Sequence, residues 1–252
     1  QLMRPPQATL VAHTPNGAEV HAADVIWLEA LPNAKGKSEL LEVTGQRLGR
    51  PHTLTLPGRI YLTPEENGRF AVVNEARIEK ILAGVVAAEI YASAPMEALK
   101  AQSVAARTDM LAKVGQRHRT DPFSICSEVH CQAYSGMQRI NPRVLEAVAA
   151  TRGLVLTDPK RSGRLVDAFY CAASGGHTED NDNAWTMPPH PTLRGLADLQ
   201  PGARDFLVGV PDEAAVRAHL AAPDRSYAAA AGKNKQALRW QVTRTRAELK
   251  KS

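Results

Sequence analysis

Residues 69–115 read RFAVVNEARIEKILAGVVAAEIYASAPMEALKAQSVAARTDMLAKVG, and the spacing of their apolar residues changes along the stretch. The apolar run at residues 69–73 predicts a strand. From residue 76 to residue 115 apolar residues recur at intervals of three and four, as on one face of a helix. Pro95 divides the helical part, because proline is tolerated in the first turn of a new helix. The stretch therefore predicts a strand followed by two helices.

Upstream of this stretch, short apolar runs separated by turn sequences predict a β-rich region. The predicted strands cover residues 8–13, 22–28, 40–43, 52–56 and 59–62. Asn67-Gly68, between two apolar runs, is a strong hairpin signal. We expect residues 1–75 to form a β-rich N-terminal region, as a small twisted sheet or partial barrel.

Downstream, residues 121–198 read as loops and short elements. We predict a helical turn at 145–150, strands at 153–156 and 165–172, and a Ser174-Gly175-Gly176 loop that permits positive φ. A helix at 213–220, a strand at 237–242 and a helix start at 246–250 complete the chain. The predicted class is α+β: the β-rich part packs with a helix-containing catalytic part, residues 76–252, around a groove with Glu89 at its floor.

Composition indicates a globular chain. It has 252 residues, 44% of them apolar and 23% charged, and a formal charge of +5. The basic residues are dispersed, which suits either attraction to an anionic polymer or an ordinary solvated surface. No apolar run approaches the roughly 20 residues that span a bilayer, so no transmembrane segment is predicted. The first residue, Gln1, suits a processed secreted protein or a trimmed sequence equally.

Cys126, His130 and Cys131 lie within six residues of one another, in the segment CSEVHCQAYSG, and His118 lies eight residues before Cys126. Four such ligands would close a tetrahedral structural zinc site. A disulfide or simple buried thiols are the alternatives. Adjacent His130 and Cys131 both point inward only if the chain turns there. We expect Cys171 to be buried rather than catalytic.

Several segments, in order along the chain, resemble the signature of the stage II sporulation protein D family (the SpoIID/LytB domain). They are GVVAAEIYASAPMEALKAQSVAART, CSEVHCQAYSG, Thr151-Arg152-Gly153, FYCAASGGHTED with Trp185, and Leu238-Arg239-Trp240. The resemblance covers roughly residues 58–249. Members of that family are lytic transglycosylases that cut the glycan strands of peptidoglycan, or enhancers of cell-wall amidases. The resemblance implies that Glu89 is the catalytic acid, with Lys100 and Arg107 in the same site and a zinc near the Cys/His cluster.

Two positions depart from the family pattern. Asp109 stands where an aromatic residue is usual, and Ala88-Glu89-Ile90 stands where the pattern usually reads Pro-Glu-Met. Neither change removes the acid, but both bear on which glycan is preferred.

A single carboxylate is enough for the reaction that the resemblance implies. Glycosidic cleavage needs a proton on the leaving oxygen and an oxocarbenium-like transition state. In a lytic transglycosylase the sugar's own 6-hydroxyl attacks and forms a 1,6-anhydro ring. Glu89 would protonate the bridging oxygen and then accept the proton of that hydroxyl. The alternative is a helix-end or salt-bridge carboxylate, as most isolated glutamates are.

Further polar residues are candidates for binding a glycan. They are Lys100, Gln102, Arg107, Gln132, Tyr134, Ser174, Gly175, Gly176, Thr178 and Glu179. Their alternatives are a solvated helix face for Lys100, a packed ring for Tyr134 and a capped turn for the loop that begins at Ser174.

The sequence thus leads to two hypotheses. The first is a lytic transglycosylase of the cell envelope, periplasmic or wall-associated, acting on peptide-stripped glycan strands and not on nucleic acid. The second is a non-catalytic wall-binding module that enhances an amidase.

Overall fold

The computed structural model describes residues 10–13, 17–30, 40–47, 50–65, 69–185, 187–203, 205, 212–222, 225–227, 245 and 248. The strand predicted at 237–242 and the motif Leu238-Arg239-Trp240 lie outside these residues, as does the helix predicted at 246–250 except for Glu248. The chain divides into two compact units, Gln1–Phe169 and Tyr170–Ser252. This boundary separates two compact units, whereas the boundary predicted at residue 75 separates a region of strands from a region that contains helices.

The β-rich region is confirmed. Its strands are β1 (Leu10–His13), β2 (Glu19–Ala22), β3 (Ile26–Glu29), β4 (Leu41–Arg47), β5 (Arg50–Leu56), β6 (Arg59–Pro64) and β7 (Phe70–Glu75). They form a three-stranded antiparallel sheet in the order β3-β6-β7 and two antiparallel ribbons, β1-β2 and β4-β5. The expectation of one twisted sheet or partial barrel is therefore wrong, because β1, β2, β4 and β5 pair only within their own ribbons in the described part of the chain.

Three helices follow in the same unit: α1 (Ile78–Glu89), α2 (Met96–Lys113) and α3 (Pro142–Ala150). They pack against one another through small and aliphatic side chains, among them Leu82, Val86, Leu99, Ala106 and Val144, each fully buried. Burial of each large aliphatic side chain contributes about 1.5–3 kcal/mol. Glu89 is the last residue of α1, and α2 begins at Met96.

The remaining elements are short. They are β8 (Thr157–Asp158) paired with β9 (Arg164–Leu165), α4 (Asn181–Ala184) and α5 (Glu213–Ala221), which confirms the helix predicted at 213–220. The strands predicted at 153–156 and 165–172 are wrong except for Leu165. The Leu156 amide donates to the Thr108 hydroxyl of α2 at 2.9 Å, and the Leu156 carbonyl accepts from the Val166 amide at 3.2 Å, so the backbone just before β8 is held partly by a helix side chain. No helix in the described ranges has both the length and the apolar character needed to cross a bilayer.

Within the first unit, the β-rich part packs directly with the helix-containing part. The Met137 amide donates to the Thr55 carbonyl of β5 at 2.8 Å. The Tyr134 hydroxyl donates to Asn74 Oδ1 of β7 at 2.9 Å. These contacts make the first unit an α+β structure, as predicted.

Candidate active site and metal centre

Glu89 ends α1 with its side chain half-buried. Its Oε1 accepts a hydrogen bond from the Ala133 amide at 2.7 Å. No cation pairs with this carboxylate in the part of the chain that the structure describes, and Oε2 has no protein donor there. The carboxyl group is therefore held by one oxygen while the other is left for a ligand.

The segment after Glu89 is held by α3. Arg143 donates from Nε to the Ala92 carbonyl at 3.1 Å and from a terminal nitrogen to the Ala94 carbonyl at 2.7 Å. Asn141 caps this helix by accepting the Arg143 amide at 3.0 Å. The loop that joins α1 to α2 beside Glu89 is thus fixed to the N-terminus of α3.

Arg107 does not pair with Glu89. Its side chain is 2% exposed and forms a bidentate salt bridge with Glu79 of α1, with N–O distances of 3.0 and 2.9 Å. The other donors reach the carbonyls of Leu154, Val148 and Ser103 at 3.0, 3.3 and 3.5 Å. All five guanidinium N–H groups are therefore used internally, and the geometry corrects the expectation that Arg107 projects beside Lys100 toward a ligand.

Lys100 and Gln102 lie nearer the surface of α2. The Lys100 ammonium pairs with Glu97 at 2.8 Å, one turn away, with its side chain 33% exposed. The amide nitrogen of Gln102 is buried and has no partner among the described protein atoms. Of these two residues, Lys100 keeps an accessible charge that Arg107 lacks.

Gln132 and Tyr134 line a cavity of about 550 Å³ whose other walls are mostly apolar, and Glu89 is not among its lining residues. Gln132 is 4% exposed, and its amide nitrogen donates to the Ala106 carbonyl at 3.0 Å and to Asp109 Oδ2 at 2.6 Å. Burial raises the pKa of the Tyr134 hydroxyl. Both side chains are packed and hydrogen-bonded. For Tyr134 this agrees with the alternative of a packed ring.

The four residues of the candidate metal centre are brought together. The ligand atoms of His118, Cys126, His130 and Cys131 all lie within 4.8 Å of one another. The closest approaches are 3.3 Å between Cys131 Sγ and His118 Nε2, and 3.7 Å between Cys126 Sγ and His130 Nδ1. A tetrahedral zinc with sulfur and nitrogen ligands separates them by about 3.4–3.8 Å, so the donor set suits such an ion and the closest approaches are near the spacing it imposes.

The turn that adjacent ligands require is present. The Cys131 amide donates to the Glu128 carbonyl at 3.0 Å, which closes a turn over His130. The thiols of Cys126 and Cys131 are free, without a disulfide between them. Cys171 is also free but exposed, so the expectation that it is buried is wrong, because the strand predicted around it does not form.

Asp121 orients His118. Its carboxylate lies 2.6 Å from His118 Nδ1, which leaves Nε2 facing the cysteines. A carboxylate on the far nitrogen fixes the tautomer and orientation of a metal-binding histidine. That hydrogen bond raises the pKa of the His118 imidazole. His118 has φ of 52°, a left-handed conformation uncommon for a non-glycine residue, which turns the chain into this arrangement.

The two thiols differ in acidity. Burial is the largest single influence on the pKa of Cys126 and raises it, but hydrogen bonds to the sulfur together lower that pKa to about 6. Burial also raises the pKa of Cys131, and here that effect prevails. A metal bound by these sulfurs would take them as thiolates.

The loop at 174–179 belongs to the second unit. Gly175 and Gly176 have φ of 75° and 94°, so the predicted positive φ is present. The Ser174 hydroxyl donates to Asp198 at 2.6 Å, and the Leu196 amide donates to the Thr178 hydroxyl at 2.8 Å. A hydrogen bond from Asn183, followed by one from the Asp180 amide, lowers the pKa of Glu179. The side chains of this loop are used to hold its own fold.

Sequence reasoning missed several residues that shape the site. They are Glu79, which forms a salt bridge with Arg107; Asp121, which orients His118; Ala133, whose amide donates to Glu89; and Lys113, which pairs with Asp109. The spacing of Asp109 and Lys113, four apart on a helix, is the signal that could have identified that pair. A backbone amide such as that of Ala133 leaves no such signal.

Comparisons with known proteins match this same part of the chain. Residues 66–157 match the family model SpoIID, described as Stage II sporulation protein. The chain is 34% identical over 119 residues, 47% of its length, to an uncharacterized protein of Brachyspira hyodysenteriae. It is 38% identical over 105 residues, 42% of its length, to the amidase enhancer of Bacillus subtilis. It is 27% identical over 128 residues, 45% of its length, to the stage II sporulation protein D of Bacillus subtilis.

The matches span 32%, 13% and 36% of those three relatives, so the chain covers about a third of their length or less. The matched residues include Glu89 and all four members of the metal centre. The part of the chain that carries the candidate site is therefore similar to the stage II sporulation protein D family, SpoIID/LytB.

Proposed function

We propose that this chain is a lytic transglycosylase that cleaves the MurNAc–GlcNAc bond of peptidoglycan glycan strands, preferring strands stripped of stem peptides. The observation that carries the proposal is the geometry of Glu89. It is a half-buried carboxylate with one oxygen anchored by the Ala133 amide and no ion pair among the described residues. A general acid must reach its substrate, and a carboxylate locked in a buried salt bridge does not.

In this reaction protonated Glu89 gives its proton to the bridging oxygen, and the bond from that oxygen to C1 of MurNAc breaks. The 6-hydroxyl oxygen of the same MurNAc bonds to C1 and closes the 1,6-anhydro ring. The proton of that hydroxyl goes to the Glu89 carboxylate, which restores the acid. No water is consumed, so no second carboxylate is needed to activate one.

Lys100 and Gln102 are the side chains of α2 that we propose as glycan contacts. The Lys100 side chain is 33% exposed, and the Gln102 amide nitrogen, although buried, has no partner among the described protein atoms. The loop from Ser174 to Glu179 is proposed as a further contact only through the amides of Ser174, Gly175 and Glu179, because the amides of Gly176, His177 and Thr178 make internal hydrogen bonds. Arg107, with five internal hydrogen bonds, is given a structural role.

For the metal centre we propose zinc in a structural role, held by His118, Cys126, His130 and Cys131. Two sulfurs and two imidazoles form a closed tetrahedral set that zinc favours, and such a site leaves no open position for a substrate. The location that this function requires is the cell envelope, where the glycan strands are.

The experiment for this function uses peptide-free glycan strands and mass spectrometry of the products. We expect 1,6-anhydromuramic ends from the intact protein, and a loss of at least about 100-fold in Glu89→Gln with binding retained. Glu213→Gln, which neutralises an exposed glutamate of α5 that pairs with Arg217 on the same helix, is the matched control and should keep full activity. Cleavage by Glu89→Gln at the normal rate would remove Glu89 from the mechanism.

A second candidate is a non-catalytic module that recruits or activates a cell-wall amidase. The similarity to the amidase enhancer of Bacillus subtilis favours it. Tight binding to glycan without any anhydro product, together with a faster amidase reaction in the presence of this chain, would support the second candidate over the first.

A further inference from the structure

A buried polar cluster joins α2 to the segment that follows the metal centre. It consists of Asp109, Lys113 and Gln132, whose residues are 2%, 7% and 4% exposed. The Lys113 ammonium pairs with Asp109 and donates to the Cys131 carbonyl at 2.6 Å. The Gln132 amide donates to Asp109 Oδ2 at 2.6 Å and to the Ala106 carbonyl at 3.0 Å.

The residue next to this cluster is the one that holds Glu89. Ala133 donates its amide to Glu89 Oε1 at 2.7 Å, and Tyr134 donates its amide to the Ser127 carbonyl at 3.1 Å. Residues 131–134 lie outside any helix or strand, so no ladder fixes their path. The position of the Ala133 amide therefore depends on the contacts of its neighbours. Two of these neighbours, Cys131 and Gln132, are hydrogen-bonded to residues of α2.

Stability alone does not explain why this buried cluster is polar. Asp109 Oδ1 and Gln132 Oε1 are buried without a partner among the described protein atoms. A buried ion pair loses hydration that its attraction only partly restores, and an apolar pair of similar volume is often as stable or more stable. A fully buried polar group does fix geometry strictly, because its hydrogen bonds are costly to break in a low dielectric.

We propose that Asp109, Lys113 and Gln132 are positioning residues for Glu89: they fix residues 131 and 132 on α2 and so aim the Ala133 amide at the Glu89 carboxyl group. The inference rests on the proposed function, in which Glu89 is the acid. The amide holds Oε1, and this leaves Oε2 directed at the glycosidic oxygen. A displacement of about 1 Å at a reacting group can lower a rate by about 100-fold, so a cluster that touches no substrate can still govern turnover.

The first test is Gln132→Met, which keeps the length of the side chain and removes its hydrogen bonds. We expect kcat on soluble peptide-free glycan strands to fall by about 10- to 100-fold, with KM within about twofold of the original. The Ala133 amide should exchange its hydrogen at least about 10-fold faster by NMR, because its anchor is loosened. Gln138→Met is the matched control: it removes the hydrogen bond from Gln138 to the Thr53 carbonyl, six residues further along, and should change neither quantity.

The second test separates positioning from stability. In the double variant Asp109→Leu/Lys113→Met the ion pair becomes apolar, and we expect unfolding by urea at the same or a higher concentration but a kcat lowered as in Gln132→Met. Metal content should stay unchanged in all variants.

Unchanged kcat and unchanged Ala133 exchange in either variant would overturn the inference while leaving Glu89 as the acid. An intact protein that forms no anhydro product would instead overturn the proposed function, and the positioning role with it.

Discussion

Among single residues, the two cations of α2 that seemed equivalent in sequence have opposite surroundings. Lys100 and Arg107 lie seven apart, two helical turns, and were expected to point the same way. Arg107 is enclosed by Glu79 and by three backbone carbonyls, whereas Lys100 pairs, among the residues that the structure describes, only with an exposed glutamate. Arg107 therefore holds structural elements together, although its motif had suggested a role in binding a ligand.

This contrast predicts that replacement by methionine lowers the free energy of unfolding by different amounts at the two positions. Arg107→Met leaves Glu79 and the carbonyls of Val148 and Leu154 without their donor, and we expect it to lower the free energy of unfolding by about 3 kcal/mol. Lys100→Met, the matched control on the same helix, should cost less than about 1 kcal/mol because its salt bridge is exposed. Urea denaturation measures both, and equal losses would contradict a structural role for Arg107.

Among secondary-structure elements, the approach of α1 to the segment after the metal centre decides where Glu89 is held. Gly84 lies in the middle of α1, and a Cβ there would stand 2.5 Å from Tyr134 Cε2 and 2.6 Å from the Gly136 carbonyl oxygen. The Tyr134 ring has little room to move, because its hydroxyl is bonded to Asn74. The absence of a side chain at Gly84 is what allows Ala133 to reach Glu89.

Gly84→Ala should therefore destabilise the protein, although alanine is the better helix former by about 1 kcal/mol. We expect a net loss of about 1–3 kcal/mol from overpacking, and a weakened contact between Ala133 and Glu89. Gly45→Ala is the control, since nothing lies within 4 Å of a Cβ at that position, and its effect should stay within about 0.5 kcal/mol. A stabilised Gly84→Ala protein would show that α1 and Tyr134 do not meet as described.

For the whole molecule, the candidate metal centre lies in a connection that has no regular secondary structure. Residues 114–141, between α2 and α3, contain no helix or strand, yet they carry the candidate metal ligands and the Ala133 amide. A bound ion would cross-link four points of this connection, and metal binding of that kind contributes directly to folding free energy.

We therefore expect about one zinc per chain by elemental analysis, and a melting temperature lowered by about 5 °C or more after removal with a chelator. Cys126→Ser should lose the zinc, whereas Cys171→Ser, an exposed cysteine outside the cluster, should keep it. Finding no zinc in protein prepared without chelator would defeat this assignment.

The amino-acid sequence alone determined the local features of this protein, namely the helices α1 and α2, most of its N-terminal strands and its cluster of candidate metal ligands. Apolar spacing located most of the strands before residue 75 and the helices α1 and α2, and the segment from Cys126 to Cys131 indicated a candidate metal site. These features are local: spacing along a strand or helix, and ligands close in sequence, are written in neighbouring residues.

Only the tertiary structure decided which groups meet. It assigned Arg107 to Glu79 across 28 positions and the Ala133 amide to Glu89 across 44, and it brought His118 to the cysteines through a left-handed backbone turn. The physical reason is that one carboxylate accepts equally from any donor that packing brings near it. Residue type and spacing state what a side chain can bind, and the packing of α1, α2 and the connecting segment selects its partner.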